Sequence, residues 1–145
     1  MRYSQSIVIN QSRAKVIELY GDPSKLKEWQ AGLKSIDLLS GEAGKEGAKT
    51  KLFYQRDDQA LEMLETITDR STPGEFHATY ETKDIVNIQE NYFRAINDKQ
   101  TEWVSISTFK FKGVKKVIFK LMKSAFKEQS LKYMAAFKKY AESFS

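Results

Sequence analysis

The sequence has no cysteine, a single histidine and only two prolines among its 145 residues, and no apolar run approaches the length of a membrane span. Without cysteine there is no disulfide framework, zinc knuckle or thiol nucleophile. One histidine, His77, excludes a multi-histidine metal site and leaves any Ser–His machinery dependent on that one side chain. We therefore expect no metal and no cofactor. Met1–Asn10 holds one Arg and the short run Ile7-Val8-Ile9, too brief for a secretory core, which gives a cytoplasmic, reducing address as the expectation. Repeats, low-complexity tracts and Pro/Gly/Ser-rich linkers are also missing, so residues 1–145 read as one domain. A chain of this length buries roughly 70% of its unfolded surface, enough for a core without covalent staples.

Charge is present, but in one place. Lys and Arg number 24 against 19 Asp and Glu, a net charge of +5. Residues 114–145 hold eight Lys and two Glu, so the excess belongs to the C-terminal segment. On a helical wheel Lys116, Lys120, Lys123, Lys127 and Lys138 lie opposite the apolar arc of that segment. Such a stripe reads as a solvated outer face that could also meet an anionic membrane surface or an acidic partner. Nucleic acid is not expected, because no aromatics interleave with the lysines and no reading motif is present.

Periodicity divides the chain into three parts. Ile7 and Ile9 alternate with polar neighbours in a strand over 2–10. Ser12 then caps a helix carrying Ala14, Val16, Ile17 and Tyr20, Gly21 ends it, and Pro23 opens a second short helix toward Trp29. After Gly32 the pattern has period two, giving strands at 34–41, 48–57, 60–69, 75–82, 85–97 and 101–112 joined by hairpin-length turns, hence an antiparallel meander. Beyond Gly113 the period is helical: Val114, Val117, Ile118, Leu121, Met122, Ala125, Phe126, Tyr133, Ala136, Phe137, Tyr140 and Phe144 share one arc. A helix of about thirty residues runs about 45 Å, long enough to cross a small domain. The reading is α+β: a curved antiparallel sheet wrapped around a long C-terminal helix, with two short helices after the first strand.

Ser6-Ile7-Val8-Ile9-Asn10, the Val16-Ile17 helix, Gly21-Asp22-Pro23, Trp29, Gly47 before a strand and the Asn97-Asp98-Lys99-Gln100-Thr101 turn together resemble the START-like (SRPBCC) superfamily, with its polyketide cyclase/dehydrase-like and small bacterial members nearest. The correspondence covers nearly the whole chain. It implies a helix-grip fold with a hydrophobic cavity between sheet and terminal helix, used for lipid- or polyketide-like small molecules. It implies no single activity, since lipid carriers, hormone receptors, cyclases and chaperone co-activators share the fold.

Alternation assigns the inward face: Ile7 and Ile9; Thr50, Leu52, Tyr54 and the more peripheral Arg56; Leu61, Met63, Glu65 and Ile67; Phe76, Ala78 and Tyr80; Trp103, Ser105, Ser107, Phe109 and Phe111. Aromatic, sulfur and hydroxyl groups so spaced suit either a filled core or an apolar pocket with a few orienting atoms. The pocket reading makes Leu52, Tyr54, Met63, Glu65, Phe76, Tyr80, Trp103, Ser105, Ser107 and Phe109 ligand-binding, with Leu121, Met122, Ala125 and Phe126 from the helix. Strand 85–97 is open in register: either Val86, Ile88, Glu90, Tyr92, Arg94 and Ile96 face inward, or Asn87, Gln89, Asn91, Phe93 and Ala95 do. In the first case Arg94 orients a ligand oxygen, and Glu90, Tyr92 and Glu65 are candidate catalytic groups for a cyclase or dehydratase, a Glu of raised pKa acting as base. A structural ion pair or a solvent-facing arrangement is the alternative. His77 falls on the outer face beside Thr79 and Glu81, Trp29 reads as a packing anchor beneath the short helices, with a place near the cavity mouth as the alternative, and Gly41–Gly47 lacks the spacing of a phosphate-binding loop.

Overall fold

The computed structural model describes the backbone of residues 1–112 and 116–144, with side chains over 1–112 and 123–144. Strand β1 (Arg2–Ile9) leads into helix α1 (Arg13–Tyr20), a 3-10 turn at Pro23–Lys25 and the one-turn helix α2 (Leu26–Trp29). Strands β2 (Leu33–Ser40), β3 (Lys49–Arg56), β4 (Gln59–Asp69), β5 (Glu75–Glu81), β6 (Ile85–Asn97) and β7 (Gln100–Phe111) follow, and helix α3 (Lys116–Glu142) closes the chain. The architecture is the α+β helix grip read from the sequence.

Local chemistry sets the boundaries. The Ser12 hydroxyl accepts from the Lys15 backbone N–H at 3.3 Å, satisfying one of the free donors at the start of α1. Asp22 does the same for Ser24 N at 3.0 Å, and Pro23, which has no N–H to satisfy, takes the first position of the turn.

All seven strands form one antiparallel sheet in the order β1-β7-β6-β5-β4-β3-β2. The hairpins run in sequence from β2 to β7, and β1 returns to pair β7 with Tyr3 opposite Ser107 and Ile9 opposite Thr101. Register breaks at Leu33/Ser35, Leu38/Ser40, Ile67/Asp69 and Ala95/Asn97 insert extra residues, which bend the sheet toward α3.

Helix α3 is fastened at the β1 edge. Tyr3 Oη meets Ser130 Oγ at 2.7 Å, Gln5 Nε2 donates to Lys127 O at 2.9 Å and Lys138 Nζ donates to Val8 O at 2.7 Å. These contacts tie the helix to the edge strand, and the one to Val8 O occupies a backbone group that such a strand otherwise leaves open to a second chain. They also correct the lysine stripe. Lys138 pairs with Glu142, and Lys127 lies 6.0 Å from the Tyr3 ring, so both belong to the flank against β1; Lys123 is exposed, and the side chains of Lys116 and Lys120 lie outside the described residues. Among the described residues no helix is long and apolar enough to cross a membrane.

The core sits where α1, α2 and the C-terminal half of α3 meet the concave face. Tyr20 is its hub, with ring centroids of Trp29, Phe76, Phe93, Trp103 and Phe137 at 5.7, 5.1, 5.1, 5.2 and 5.5 Å. Offset and edge-on aromatic pairs each add about 0.5–1.5 kcal/mol beyond the area they bury. Met134 and Ala141 are buried with Phe137, although the sequence arc did not include them. Ala125, assigned to that arc as a ligand contact, is exposed: it points away from the sheet while Phe126 beside it stacks on Phe109 at 4.8 Å.

Candidate functional site

The pleat and the ladders settle which side chains share the concave face. Thr50, Glu65, Tyr80 and Asn87 are successive Cα partners across β3, β4, β5 and β6, and Phe109 continues the row on β7. Ala78, Gln89 and Ser107 make the next row, and Phe76, Asn91 and Ser105 the one after. Partners across a ladder point to the same side of the sheet, so the interior carries a band of hydroxyl, amide and carboxyl groups between two apolar zones.

This register decides β6. Asn91 is fully buried and Phe93 nearly so, with Asn91 Oδ1 accepting from Trp103 Nε1 at 3.0 Å and Phe93 stacked on Trp103 at 5.6 Å. The amide set therefore faces inward. Glu90, Tyr92 and Arg94 lie on the convex face, which removes Glu90 and Tyr92 as catalytic candidates and Arg94 as a ligand contact. Tyr92 Oη donates to Glu90 at 3.1 Å there, and Arg94 is exposed. His77 shares the convex face as expected, but it is half-buried: its ring bonds Glu75 at 3.0 Å, accepts from Asn91 N at 3.2 Å and lies edge-on to Tyr92.

The other inward assignments fall on the concave side. Leu52, Tyr54, Phe76, Trp103, Ser107 and Phe109 are buried, while Met63, Glu65, Tyr80, Ser105 and Phe126 are partly so. Arg56 is exposed at the strand end and donates to Ala31 O. Leu121 and Met122 lie outside the described side chains.

Glu65 is the one acid of the inward set that stays inward. Burial pushes its carboxyl above the ordinary carboxylate range, and the Tyr80 hydroxyl beside it opposes that shift. The hydroxyls answer in kind. Burial raises Tyr20, Tyr54 and Tyr80, and the charge of Glu65 adds to each. Tyr54 Oη is further committed to Gln30 Oε1.

Glu65, Tyr80, Tyr20, Trp29, Gln30, Ile67 and Phe76 line a cavity of about 20 Å³, with Gly21, Pro23, Leu26 and Gly44 completing its wall. That volume takes about one water molecule and is far below the roughly 300–1,000 Å³ of an ordinary ligand site. The expected hydrophobic cavity is thus largely filled at this end by the Tyr20 cluster. Tyr20, Gln30 and Gly44 were not among the site residues read from the sequence. Strand-like alternation locates Glu65; helical spacing put Tyr20 on the apolar face of α1 without showing that it meets the site, and Gln30 and Gly44 arrive from a helix end and a loop that carry no face-defining period.

Among the described residues three buried side-chain polar atoms have no hydrogen-bond partner: Trp29 Nε1, Asn87 Oδ1 and Asn91 Nδ2. Because Trp103 already occupies the Asn91 oxygen, the free atom of that amide is a donor. A buried carboxyl, hydroxyls and unpartnered amide atoms on the concave sheet, with the Trp29 indole of α2 in the wall of the same cavity, can orient a polar group or move a proton to and from it. Among the described residues there is no cluster of acids and histidine suited to a metal ion.

No family model matches the chain, and no curated protein matches it significantly by sequence. Solved structures do match in fold. The aromatase/cyclase Zhui from Streptomyces sp. R1128 superposes with a TM-score of 0.82 at 9% identity, over 98% of this chain and 93% of its own. A START superfamily protein from Mycobacterium smegmatis gives 0.78 at 11% identity, over 99% of each chain. Ara h 8.0201 gives 0.75 at 18% identity, over 99% of this chain and 98% of its own.

Proposed function

We propose that this chain, which has the START-like helix-grip fold, binds an amphipathic small molecule between the concave sheet and α3. The observation that supports this most directly is the set of unpartnered buried atoms, Asn87 Oδ1, Asn91 Nδ2 and Trp29 Nε1, in an interior whose polar band lies between apolar zones. Each such atom costs about 1–3 kcal/mol when nothing satisfies it. A guest with a few polar atoms on an apolar frame offsets that cost, and the Thr50-Glu65-Tyr80-Asn87 row sets its orientation. The small free volume means that binding moves side chains of the Tyr20 cluster or parts α3 from the sheet.

Native mass spectrometry on gently purified protein, followed by solvent extraction, tests the reading. A one-to-one adduct whose extracted compound rebinds supports it. A protein that carries only its own mass and takes up no apolar fluorophore overturns it.

The buried carboxyl of Glu65 favours one second reading, a cyclase or dehydratase in which Glu65 exchanges a proton with the bound carbon skeleton. Conversion of an extracted ligand by the wild type and not by Glu65→Gln would establish it; unchanged ligand recovered from both would remove it.

A further inference from the structure

Resting on the binding reading above, we propose that the guest carries a primary ammonium group that seats against Glu65. The carboxyl lies between Thr50 and Tyr80 on the neighbouring strands and borders a void walled by the rings of Tyr20, Trp29, Phe76 and Tyr80. A carboxylate within aromatic walls is the environment that selects a cation over a neutral or anionic head, through charge pairing and the negative faces of the rings.

The described residues leave this role to the guest. Their ion pairs are Lys15–Glu18, Lys51–Glu62, His77–Glu75 and Lys138–Glu142, none of which reaches Glu65. Arg70, stacked 4.8 Å from the Phe76 ring, gives its Nη1 hydrogen to Gly44 O at 2.6 Å. A buried carboxylate without a cation is costly, and burial pushes the Glu65 carboxyl above its ordinary range, so the site gains from a cation that pairs with it. Seating the ammonium forms the pair R–NH3⁺···⁻OOC–Glu65.

Size fits the same assignment. A void of about 20 Å³ admits an ammonium head, which is close to water in size, while the apolar body of the guest lies beyond it along the concave face. Trp29 Nε1 is a donor and cannot serve an ammonium, so it calls for an oxygen elsewhere in the same guest. An amino alcohol or another oxygen-bearing amine satisfies both.

Calorimetric titration with octylamine, octanol and octanoate, which share a chain and differ in head, tests the inference. Octylamine is expected to bind at least tenfold more tightly than either of the others. Glu65→Gln, nearly isosteric, should lose the amine preference. Equal binding of octylamine and octanol, or a preference that survives in Glu65→Gln, would leave the binding reading standing and defeat the ammonium assignment. If none of the three probes binds, the binding reading falls and takes this assignment with it.

Discussion

Trp103 Nε1 donates to Asn91 Oδ1 at 3.0 Å across the β6–β7 ladder, and that one bond commits the oxygen of a fully buried amide while leaving its nitrogen without a partner. The pair anchors β6 in the register that turns Glu90 and Arg94 outward. Trp103→Phe keeps the ring but leaves the Asn91 oxygen unsatisfied as well, which should cost about 1–3 kcal/mol. Urea unfolding at neutral pH measures it; a loss below about 0.5 kcal/mol, the range of an ordinary surface substitution, would show the bond to be incidental.

Phe137 is fully buried and edge-on to Tyr20, Trp29 and Trp103. Phe137→Ala should therefore destabilise the fold by about 3–5 kcal/mol, through lost transfer energy and an incompletely collapsing void. Leu131→Ala, on the same helix at a 46% exposed position, should stay within about 0.5 kcal/mol. Similar losses for the two, read from parallel denaturation curves, would contradict the placement of the core on α3.

The pH dependence of stability follows from Glu65. Its carboxyl titrates above the ordinary value of 4.5 when folded, because of burial, so the folded chain holds this proton more tightly than the unfolded one. The resulting stabilisation is fully present below the unfolded value and is lost as pH rises through the folded value. Glu65→Gln has no such proton to lose. The stability of the variant relative to wild type should climb across that window and level off above it. Parallel pH profiles for the two proteins would mean that the carboxyl is hydrated in the folded state.

Gly44 has φ of +77°, and a Cβ there would stand 2.9 Å from Gly21 O. Both the left-handed backbone and the close approach of the 41–47 loop to the α1 corner depend on its missing side chain. Gly44→Ala should cost about 1–3 kcal/mol. It should also speed the uptake of an apolar fluorophore, since the loop forms part of the wall around Glu65. Slower or unchanged uptake in stopped flow would place the guest's route elsewhere.

The fold was legible because its signals are local and repeated. Alternation from Leu33 to Phe111 and the turn glycines define the meander, and the Ser12 and Pro23 caps define the helices. Glu65 and Tyr80 were legible for the same reason, being two residues from neighbours of plain hydrophobic character, Ile67 and Ala78. In β6 the logic fails, because Val86 and Ile88 on one face compete with Phe93 on the other and no excess of hydrophobicity decides between them. The deciding partner is Trp103, on another strand. Ala125 misled for a related reason: alanine fits a buried or an exposed helix position equally well, and its side is fixed by how α3 docks on Tyr3 and Gln5. The period of the first helix placed Tyr20 on its apolar face, and alternation put Asn87 and Asn91 on one face of β6, but the hub role of Tyr20, the arrival of Gln30 and the lack of partners for the amide atoms are products of tertiary packing.

The pairing of β1 with β7 has a consequence for how the protein is made. Tyr3 meets Ser107, so the first strand has no partner in the sheet until more than a hundred further residues have left the ribosome. At about 5–20 residues per second this is an interval of roughly 5–20 s, during which Ile7, Val8 and Ile9 travel as an open apolar ribbon. The first strand therefore stays unpaired through most of synthesis, and the same long-range closure places the chain among slow-folding topologies.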